Sequence, residues 1–308
     1  MSQSIDNVIN YQPTYFKAYA QLDAEAEKIE PLRCFTSAHS LEERLYRPNH
    51  SPEQNLFLVG TAGNITGYID VTLELNIERA ILNCFVHPDH RRKGLATKLL
   101  GYATDRAKQL GARVVHVNIS EKNADAKIVL AKLGFEFVRR FLQLRLDMVR
   151  VLPQDTHQAV PQYRHIQRGD EYELAQIQNR SFAGSWGYNP NTVEELVYEL
   201  NSSNCSTEEI KLACEGDKAI GYCWTRTISE IGRNERIGQI FMLGVDPAYR
   251  GKGIGKGVLF NGLSYLKSKG LRVTELTLDS ENKIAYNLYK SVGFEFHNSN
   301  TWYEKKII

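Results

Sequence analysis

One stretch of this sequence occurs twice and decides the fold: Val245-Asp-Pro-Ala-Tyr-Arg-Gly-Lys-Gly-Ile-Gly255 and, 159 positions earlier, Val86-His-Pro-Asp-His-Arg-Arg-Lys-Gly-Leu-Ala96. The same offset aligns Gly134-Phe-Glu-Phe137 with Gly293-Phe-Glu-Phe296, and the register runs without a gap for about fifty residues with about sixteen identities. A repeat of this length indicates two copies of one structural unit, and units of about 150 residues are too long for a solenoid. In each copy, strand patterns alternate with helix patterns, which predicts an α/β fold.

The repeat predicts two domains in tandem. We place the first at residues 1–150 and the second at 162–308, joined by a linker at 151–161 that contains two prolines and shows no periodicity. The second copy is expected to close with a hairpin made by Phe294–His297 and Thr301–Lys305. In the first copy a long strand region takes the corresponding place, and no strand is predicted before Asn55.

Composition narrows the class of protein. The 308 residues are 42% hydrophobic and 24% charged, with 38 basic against 36 acidic side chains and a net charge of +2. These are ordinary globular values, and so small a net charge does not favour nucleic acid as the main partner. Five cysteines without a Cys-x-x-Cys pair argue against disulfides and zinc, so we expect no metal. No apolar run reaches eighteen residues and no signal-peptide core is visible, so we expect a cytoplasmic protein, monomer or homodimer, with no membrane partner.

The glycine-rich turn Arg250-Gly-Lys-Gly-Ile-Gly-Lys256 stands between a predicted strand and a predicted helix. Glycines let the backbone approach a ligand, and a helix start presents unpaired N–H groups at the positive end of its dipole. That combination binds phosphate oxygens. The spacing matches neither the P-loop nor the Rossmann fingerprint. From the residues alone, the chain is expected to bind a phosphate-bearing ligand twice.

The turn and its surroundings resemble the GCN5-related N-acetyltransferases (GNAT), whose pyrophosphate motif is Gln/Arg-x-x-Gly-x-Gly/Ala. The motif is matched by Arg250, Gly253 and Gly255 in the second half, and by Arg91, Gly94 and Ala96 in the first. The resemblance implies an α/β protein with two tandem GNAT-like domains, each a mixed, mostly antiparallel central sheet flanked by helices. It also implies acetyl-CoA as co-substrate, with its pantetheine arm in a gap where the sheet splays open.

The resemblance assigns contacts with acetyl-CoA to both halves. The fourth strand contacts the arm and the thioester carbonyl through its backbone, the turn holds the pyrophosphate, and an asparagine after the fifth strand contacts the arm. In the second half the implied residues are Leu243, Gly244, Val245, Arg250, Gly251, Lys252, Gly253, Ile254, Gly255, Lys256 and Asn282. The second cofactor site implied for the first half comprises Cys84, Phe85, Val86, Arg91, Arg92, Lys93, Gly94, Leu95, Ala96 and Asn123. Whether the first half binds acetyl-CoA stays open.

The resemblance also separates the halves by their chemistry. It places the catalytic proton donor to the leaving thiolate four residues before Gly293-Phe294, which is Tyr289. A tyrosine with a pKa of about 10 suits a thiolate whose conjugate acid has a pKa of about 8.5. In the first half the same register gives Leu130, which has no proton to donate. We therefore expect the second domain to be catalytic and the first to be non-catalytic.

The acceptor side is less sharply predicted. In one tandem enzyme of the family that this chain resembles, a glutamate interpreted as the general base stands where this chain has Gln239, and an amide cannot act as a base. Either another carboxylate serves through water, with Glu235 and Glu275 as candidates, or the acceptor amine is acidic enough to be partly neutral near pH 7. Candidates to line the acceptor pocket are the aromatic residues Trp186, Tyr188, Tyr286 and Trp302.

Three functions fit these patterns. The first is acetyl transfer from acetyl-CoA to the amine of a small molecule, such as a cysteinyl or other α-amine. The second is acetylation of a protein or peptide amine, although no carboxylate cluster suited to basic peptides is visible. The third is a non-catalytic acyl-CoA-binding regulatory module, which Tyr289 argues against and Leu130 allows for the first half.

Overall fold

Two compact units make up the described part of the chain. The first contains residues up to 140 and again from 300, and the second contains residues 141–299. Each is built from alternating strands and helices around a mixed sheet, which confirms the predicted fold class. The structure, a computed structural model, describes residues 7–30, 37–61, 63–150, 161–230 and 235–308.

The first unit is a sheet with helices on both faces. Its elements are β1 (Val8–Asn10), α1 (Phe16–Ile29), α2 (Ala38–Leu45), α3 (Pro52–Asn55), β2 (Leu56–Thr61), β3 (Asn64–Glu74), β4 (Arg79–Val86), α4 (Leu95–Gln109), β5 (Val114–Ser120), α5 (Ala124–Lys132), the start of β6 (Glu136–Asp147) and the end of β12 (Glu295–Lys306). The strands lie in the order β1-β2-β3-β4-β5-β12, and every neighbouring pair is antiparallel except the parallel pair β4–β5.

The second unit repeats this plan. Its further elements are β7 (Gln162–His165), α6 (Glu171–Phe182), α7 (Val193–Leu200), β8 (Ile210–Glu215), β9 (Lys218–Glu230), β10 (Glu235–Val245), α8 (Ile254–Ser268), β11 (Val273–Asp279) and α9 (Lys283–Val292). The strands lie in the order β7-β8-β9-β10-β11-β6, and again only one pair, β10–β11, is parallel. One face of the sheet packs on α8 and α9, and the other on α6 and α7.

In each unit, the strand at one edge of the sheet is supplied by the C-terminal end of the other sequence repeat. Residues 141–147 of β6 pair with β11, and residues 300–306 of β12 pair with β5. The predicted boundaries at 150 and 162 therefore differ from the compact units, and most of the predicted linker, residues 151–160, lies outside the described residues.

The predicted closing hairpin is wrong. Its two halves, Phe294–His297 and Thr301–Lys305, lie along one continuous strand, β12, which begins directly after Phe294. None of the described residues of this strand takes the positive φ that a tight hairpin turn needs, and the second half finds its partner in β5 instead. A short strand, β1, also precedes Asn55, where none was predicted.

An ion network is buried beside α2 in the first unit. His50 places Nε2 2.8 Å from Asp70 Oδ1, and Nδ1 2.7 Å from the carbonyl oxygen of Leu45. Burial by itself would raise the pKa of Asp70, but the hydrogen bond from His50 and the charges of Arg47 and Arg44 outweigh it and lower that pKa below its usual value. Asp70 therefore stabilises the fold as a carboxylate.

We expect Asp70→Asn to reduce the free energy of unfolding at pH 7 by about 3 kcal/mol, because it breaks a buried charge pair. A carboxyl group whose pKa is lowered by folding contributes fully above its unfolded pKa, here 3.8, and loses the contribution as the pH falls through the lower folded value. Thermal unfolding between pH 7 and pH 3 should therefore show the two proteins converging at the acidic end. Exposed Asp105 provides the control variant, Asp105→Asn. A difference that stays constant over this range contradicts the prediction.

Candidate active site

The sheet of the second unit opens between β10 and β11. These strands pair only at residues 238–240 of β10, and the described residues beyond Ile240 have no partner on β11. A bulge between Ile240 and Met242 turns the rest of the strand away. Leu243, Gly244 and Val245 lie on this diverging segment, so backbone groups on its β11 side are left available to a ligand, as the family resemblance implies.

The glycine turn follows directly and has the geometry expected for a phosphate site. Gly251 and Gly253 have φ of +78° and +80°, and a Cβ on either would meet nothing within 4 Å. Gly253 is the N-cap of α8, so the first amides of that helix lack partners within the helix. The open, amide-lined turn fits the pyrophosphate of acetyl-CoA.

The basic residues of the turn divide into two groups. Arg250 donates to the carbonyl oxygens of Val245, at 3.3 Å, and of Ser181, at 2.6 Å, so its guanidinium ties the turn to the end of α6. Lys252 and Lys256 place their ammonium groups over the rings of Tyr249 and Phe260, at 4.9 and 5.8 Å. Arg250 therefore directs donors at the backbone, and the two lysines place their ammonium groups beside the turn.

Packing explains why the third motif position accepts either glycine or alanine. A Cβ on Gly255 would lie 3.6 Å from side-chain atoms of Leu288 and Val245, which is ordinary van der Waals contact. Alanine therefore fits there, and Ala96 occupies the corresponding position of the first unit. The neighbouring Ile254 is buried in the core of the second unit.

Tyr289 lies on α9, which follows β11 and so borders the opening of the sheet. It is 7% exposed and makes an edge-on contact with Phe294 at 5.7 Å. Burial, with a smaller effect from Cys223, raises the pKa of Tyr289 well above its usual value, so the hydroxyl keeps its proton at neutral pH. Asn282 is the N-cap of the same helix, and its Oδ1 accepts the amide of Ala285 at 3.0 Å.

The acceptor-side candidates fall into different places. Gln239 lies directly beside Glu275 in the β10–β11 register, the last stretch before the strands part. Glu275 is buried and lies 3.1 Å from Arg145, whereas Glu235 is exposed at the start of β10. The structure therefore brings one of the two predicted carboxylates next to Gln239 and leaves the other at the far end of the strand.

The aromatic candidates also separate. Tyr188 stacks on Phe182 at 5.2 Å, and its hydroxyl donates to Asn179 at 2.8 Å. Trp186 lies in the same loop, and Tyr286 packs at the edge of the α8–α9 core. Trp302 is not part of the second unit. It lies in the first, with its ring 6.2 Å from that of His116, because β12 continues into that unit.

The first unit keeps the turn but has no tyrosine at the position of Tyr289. Its β4 and β5 pair only at residues 79–81 of β4, Gly94 has φ +78°, and Arg92 keeps a left-handed φ of +61° at the position of Gly251. Arg91, like Arg250, donates to a backbone oxygen, that of Val86, at 2.9 Å. Asn123 caps α5 as Asn282 caps α9. Of the other residues implied for this site, Cys84, Phe85 and Val86 end β4, Lys93 lies in the turn, and Leu95 and Ala96 begin α4.

The two units differ at two positions, those of Tyr289 and Gly244. Leu130 is buried at the position of Tyr289, and the amide of Phe135 donates to its carbonyl oxygen as that of Phe294 does to Tyr289. Phe85 fills the position of Gly244 and packs against Tyr68.

Sequence reasoning missed the polar side of the second site. The hydroxyl of Ser181 and the ring of Tyr222 lie against Gly244, because a Cβ there would be 2.8 Å from Ser181 Oγ and 2.6 Å from the Tyr222 ring. A signal was present in the repeated dipeptide Gly67-Tyr68 and Gly221-Tyr222, which precedes each fourth strand.

Comparison with known proteins agrees with this geometry. The sequence signature of the Acetyltransferase (GNAT) family matches residues 21–135 and 172–294. A mycothiol acetyltransferase from Amycolatopsis mediterranei is 30% identical over 78% of this chain and 81% of its own length. A GCN5-related N-acetyltransferase from Sphaerobacter thermophilus has the same fold, with a TM-score of 0.73 at 22% identity over 100% of this chain and 97% of that one. So does a tandem GNAT protein from the clavulanic acid biosynthesis pathway, with a TM-score of 0.70 at 14% identity over 98% of both chains.

The chain therefore belongs to the GNAT family of acetyltransferases, and its class of activity is N-acetyl transfer from acetyl-CoA. Within the described ranges, no cluster of three or more His, Cys, Asp or Glu side chains is arranged to hold a metal ion. None of the helices described is long and apolar enough to cross a membrane.

Proposed function

We propose that the second unit transfers acetyl from acetyl-CoA to the amine of a small molecule, with Tyr289 as the proton donor. The observation that carries this proposal is the combination, in one unit, of a splayed strand, an open glycine turn and a buried, protonated tyrosine. The first unit has the strand and the turn but Leu130 in place of the tyrosine. We propose that it binds acetyl-CoA without transferring it.

The reaction divides among these groups. The amides at the start of α8, with Lys252 and Lys256, hold the pyrophosphate, and the diverging backbone of Leu243–Val245 receives the arm. The unprotonated amine attacks the thioester carbonyl carbon, a C–N bond forms and the C–S bond breaks. Tyr289 donates its proton to the departing sulfur, and the surplus proton of the amine leaves to solvent or to a base.

The acceptor is proposed to be an α-amine, such as a cysteinyl amine. The tandem layout also resembles mycothiol synthase, and relatives named mycothiol acetyltransferase cover most of this chain. Gln239 stands where that enzyme has the glutamate interpreted as its base. An α-amine with a pKa of about 7.7–8.0 is partly neutral near pH 7 and does not require that base.

The activity itself is tested by incubating the protein with acetyl-CoA and a panel of small amines, while a thiol reagent follows the release of CoA. Acetylated α-amines, identified by mass spectrometry, are the expected products. Transfer to peptide amines alone would contradict the small-molecule proposal.

We expect kcat/KM to rise with pH along the titration of the acceptor's own amine, because only the neutral amine attacks. Acceptors with amine pKa values near 8 and near 9.5 should therefore give profiles displaced by about 1.5 pH units. Gln239→Glu should add activity on the acidic side for both, since a carboxylate can take the proton, and Gln239→Asn provides the uncharged control. A single apparent pKa shared by all acceptors would show that an enzyme base, such as Glu275, governs the reaction.

A further inference from the structure

Four buried polar side chains line the boundary between α6 and β9 in the second unit. We call this boundary the α6–β9 seam and define it by Gln178, Ser181, Tyr222 and Trp224. Gln178, Tyr222 and Trp224 are at most 1% exposed, and Ser181 is 7% exposed. None of Gln178 Nε2, Ser181 Oγ, the Tyr222 hydroxyl and Trp224 Nε1 has a hydrogen-bond partner among the described residues. Buried polar groups are nearly always hydrogen-bonded, so four together on facing elements require an explanation.

Local geometry places the four side chains on the facing surfaces of α6 and β9. Gln178 and Ser181 are three residues apart on α6 and therefore share a face of the helix. Tyr222 and Trp224 are two residues apart on β9 and therefore share a face of the sheet, the face that packs on α6. The carboxamide oxygen of Gln178 accepts from Asn191 Nδ2 at 2.6 Å, which fixes its amide nitrogen as the free end.

One end of the α6–β9 seam lies at the expected acetyl site. Tyr222 is the register partner of Gly244 on β10, and Trp224 that of Met242. Arg250 holds Ser181 there, because its guanidinium donates a hydrogen bond to the carbonyl oxygen of Ser181 at 2.6 Å. The turn that is expected to hold the pyrophosphate therefore also positions the first hydroxyl of the α6–β9 seam.

In the first unit, the side chains that correspond to Tyr222 and Trp224 have hydrogen-bond partners within the protein. Tyr68 corresponds to Tyr222, because it is the register partner of Phe85 as Tyr222 is of Gly244. Its hydroxyl donates to Asp23 at 2.7 Å. Asp70 corresponds to Trp224, and His50 lies 2.8 Å from it. In the first unit Tyr68 and Asp70 therefore have protein partners, and in the second unit the Tyr222 hydroxyl and Trp224 Nε1, at the corresponding positions, have none among the described residues.

We propose that the α6–β9 seam binds the body of the acceptor, and that this body carries neutral oxygen atoms close to the amine. This inference rests on the proposed function. Trp224 and the amide nitrogen of Gln178 can only donate, and the hydroxyls of Ser181 and Tyr222 donate as well, so oxygen acceptors complement all four.

Charge narrows the class further. The neighbouring guanidinium groups are already paired, Arg180 with Asp246 at 2.9 Å and Arg226 with Glu199. The guanidinium of Arg250 donates to the carbonyl oxygens of Val245 and Ser181. An anionic group in the α6–β9 seam would have to compete with Asp246, Glu199 and these carbonyl oxygens for the guanidinium groups, which makes its burial less favourable than that of a neutral oxygen. Hydroxylated amines or amide-bearing amines therefore suit the seam, and free amino acids with their carboxylates do not.

Three amines of nearly the same shape test the proposal: 2-amino-1,3-propanediol, its oxygen-free counterpart 3-aminopentane, and the carboxylate L-serine. Rates are compared per unprotonated amine at saturating acetyl-CoA. We expect the diol to exceed both others by about 10-fold or more in kcat/KM. Tyr222→Phe and Ser181→Ala should each lower kcat/KM for the diol by about 10-fold, since one hydrogen bond is worth about that factor, and should lower that for 3-aminopentane far less, because this amine has no oxygen to accept the bond.

Thermal unfolding gives a second measurement that needs no acceptor. Tyr222→Phe removes a hydroxyl without a protein partner, so Tm should stay the same or rise. The matched variant in the first unit, Tyr68→Phe, breaks the bond to Asp23 and should lower Tm by several degrees. A comparable fall in both variants would show that the Tyr222 hydroxyl has a structural role and would overturn the proposal.

The outcomes separate this inference from the proposed function. If calorimetry shows that the unchanged protein does not bind acetyl-CoA, the proposed function fails. If acetyl-CoA binds and the panel of small amines gives acetylated products, but 3-aminopentane or L-serine is acetylated as well as the diol or the diol is not acetylated, the α6–β9 seam does not select neutral oxygen and this inference fails alone.

Discussion

Tyr289→Phe is expected to lower kcat by 10²–10⁴-fold while leaving the affinity for acetyl-CoA unchanged, because it removes only the proton that general acid catalysis requires. Phenylalanine keeps the ring, so the edge-on contact with Phe294 survives. Stopped-flow release of CoA under single-turnover conditions measures the chemical step, and calorimetry measures acetyl-CoA binding.

The control is Tyr265→Phe, which removes a hydroxyl from α8, away from the opening between β10 and β11. It should keep full turnover. The raised pKa of Tyr289 also predicts the pH dependence of kcat. Because the hydroxyl stays protonated as the pH rises, its ionisation should produce no fall in kcat below about pH 10. Full single-turnover rates in Tyr289→Phe would place the proton donor elsewhere.

Gly253→Asp is expected to weaken acetyl-CoA binding in the second unit by about 100-fold or more. Aspartate at the N-cap of α8 would place a carboxylate against the pyrophosphate, and like charges about 4 Å apart near a protein surface repel by about 4 kcal/mol. Gly253→Asn is the matched control, because asparagine tolerates the left-handed φ of +80° about as well and carries no charge. The affinity lost by aspartate beyond asparagine measures the charge effect.

Gly94→Asp extends this comparison to the first unit. Calorimetry of the unchanged protein should give two bound acetyl-CoA molecules per chain, and each aspartate variant should remove one. Acetyl transfer should be lost in Gly253→Asp and kept in Gly94→Asp. One molecule per chain in the unchanged protein would show that the turn of the first unit is structural, and an unaltered affinity in a folded Gly253→Asp protein would overturn the assignment of the turn.

The turns around Gly94 and Gly253 could be predicted because their conformation is a local property. A left-handed φ next to a helix start depends on the residue itself and its immediate neighbours, so the spacing of glycines in the printed sequence already indicates it. The register of the repeat also aligned Leu130 with Tyr289. This alignment predicted that only the second half has a side chain able to donate a proton.

The end of the chain could not be predicted in the same way. The segments 294–297 and 301–305 have the alternation of strands, and local rules join two short strands by a turn. Whether such a segment turns or continues depends on where a partner edge lies, and the partner of residues 300–306 is β5, far away in the sequence. The consequence for the site is direct, because the continuing strand carries Trp302 into the first unit.

The sequence by itself determined the two α/β units and the glycine turns, because repeats, glycine spacing and helix starts act over a few residues, and its resemblance to the family predicted Tyr289 as the proton donor. Only the tertiary structure decided what the polar side chains do. It turned Arg250 toward the carbonyl of Ser181, placed Glu275 beside Gln239, and left the hydroxyls of Ser181 and Tyr222 without partners among the described residues. Hydrogen-bond partners and burial depend on elements that meet across the fold, and no local pattern encodes which side chain will be left with an open hydrogen bond.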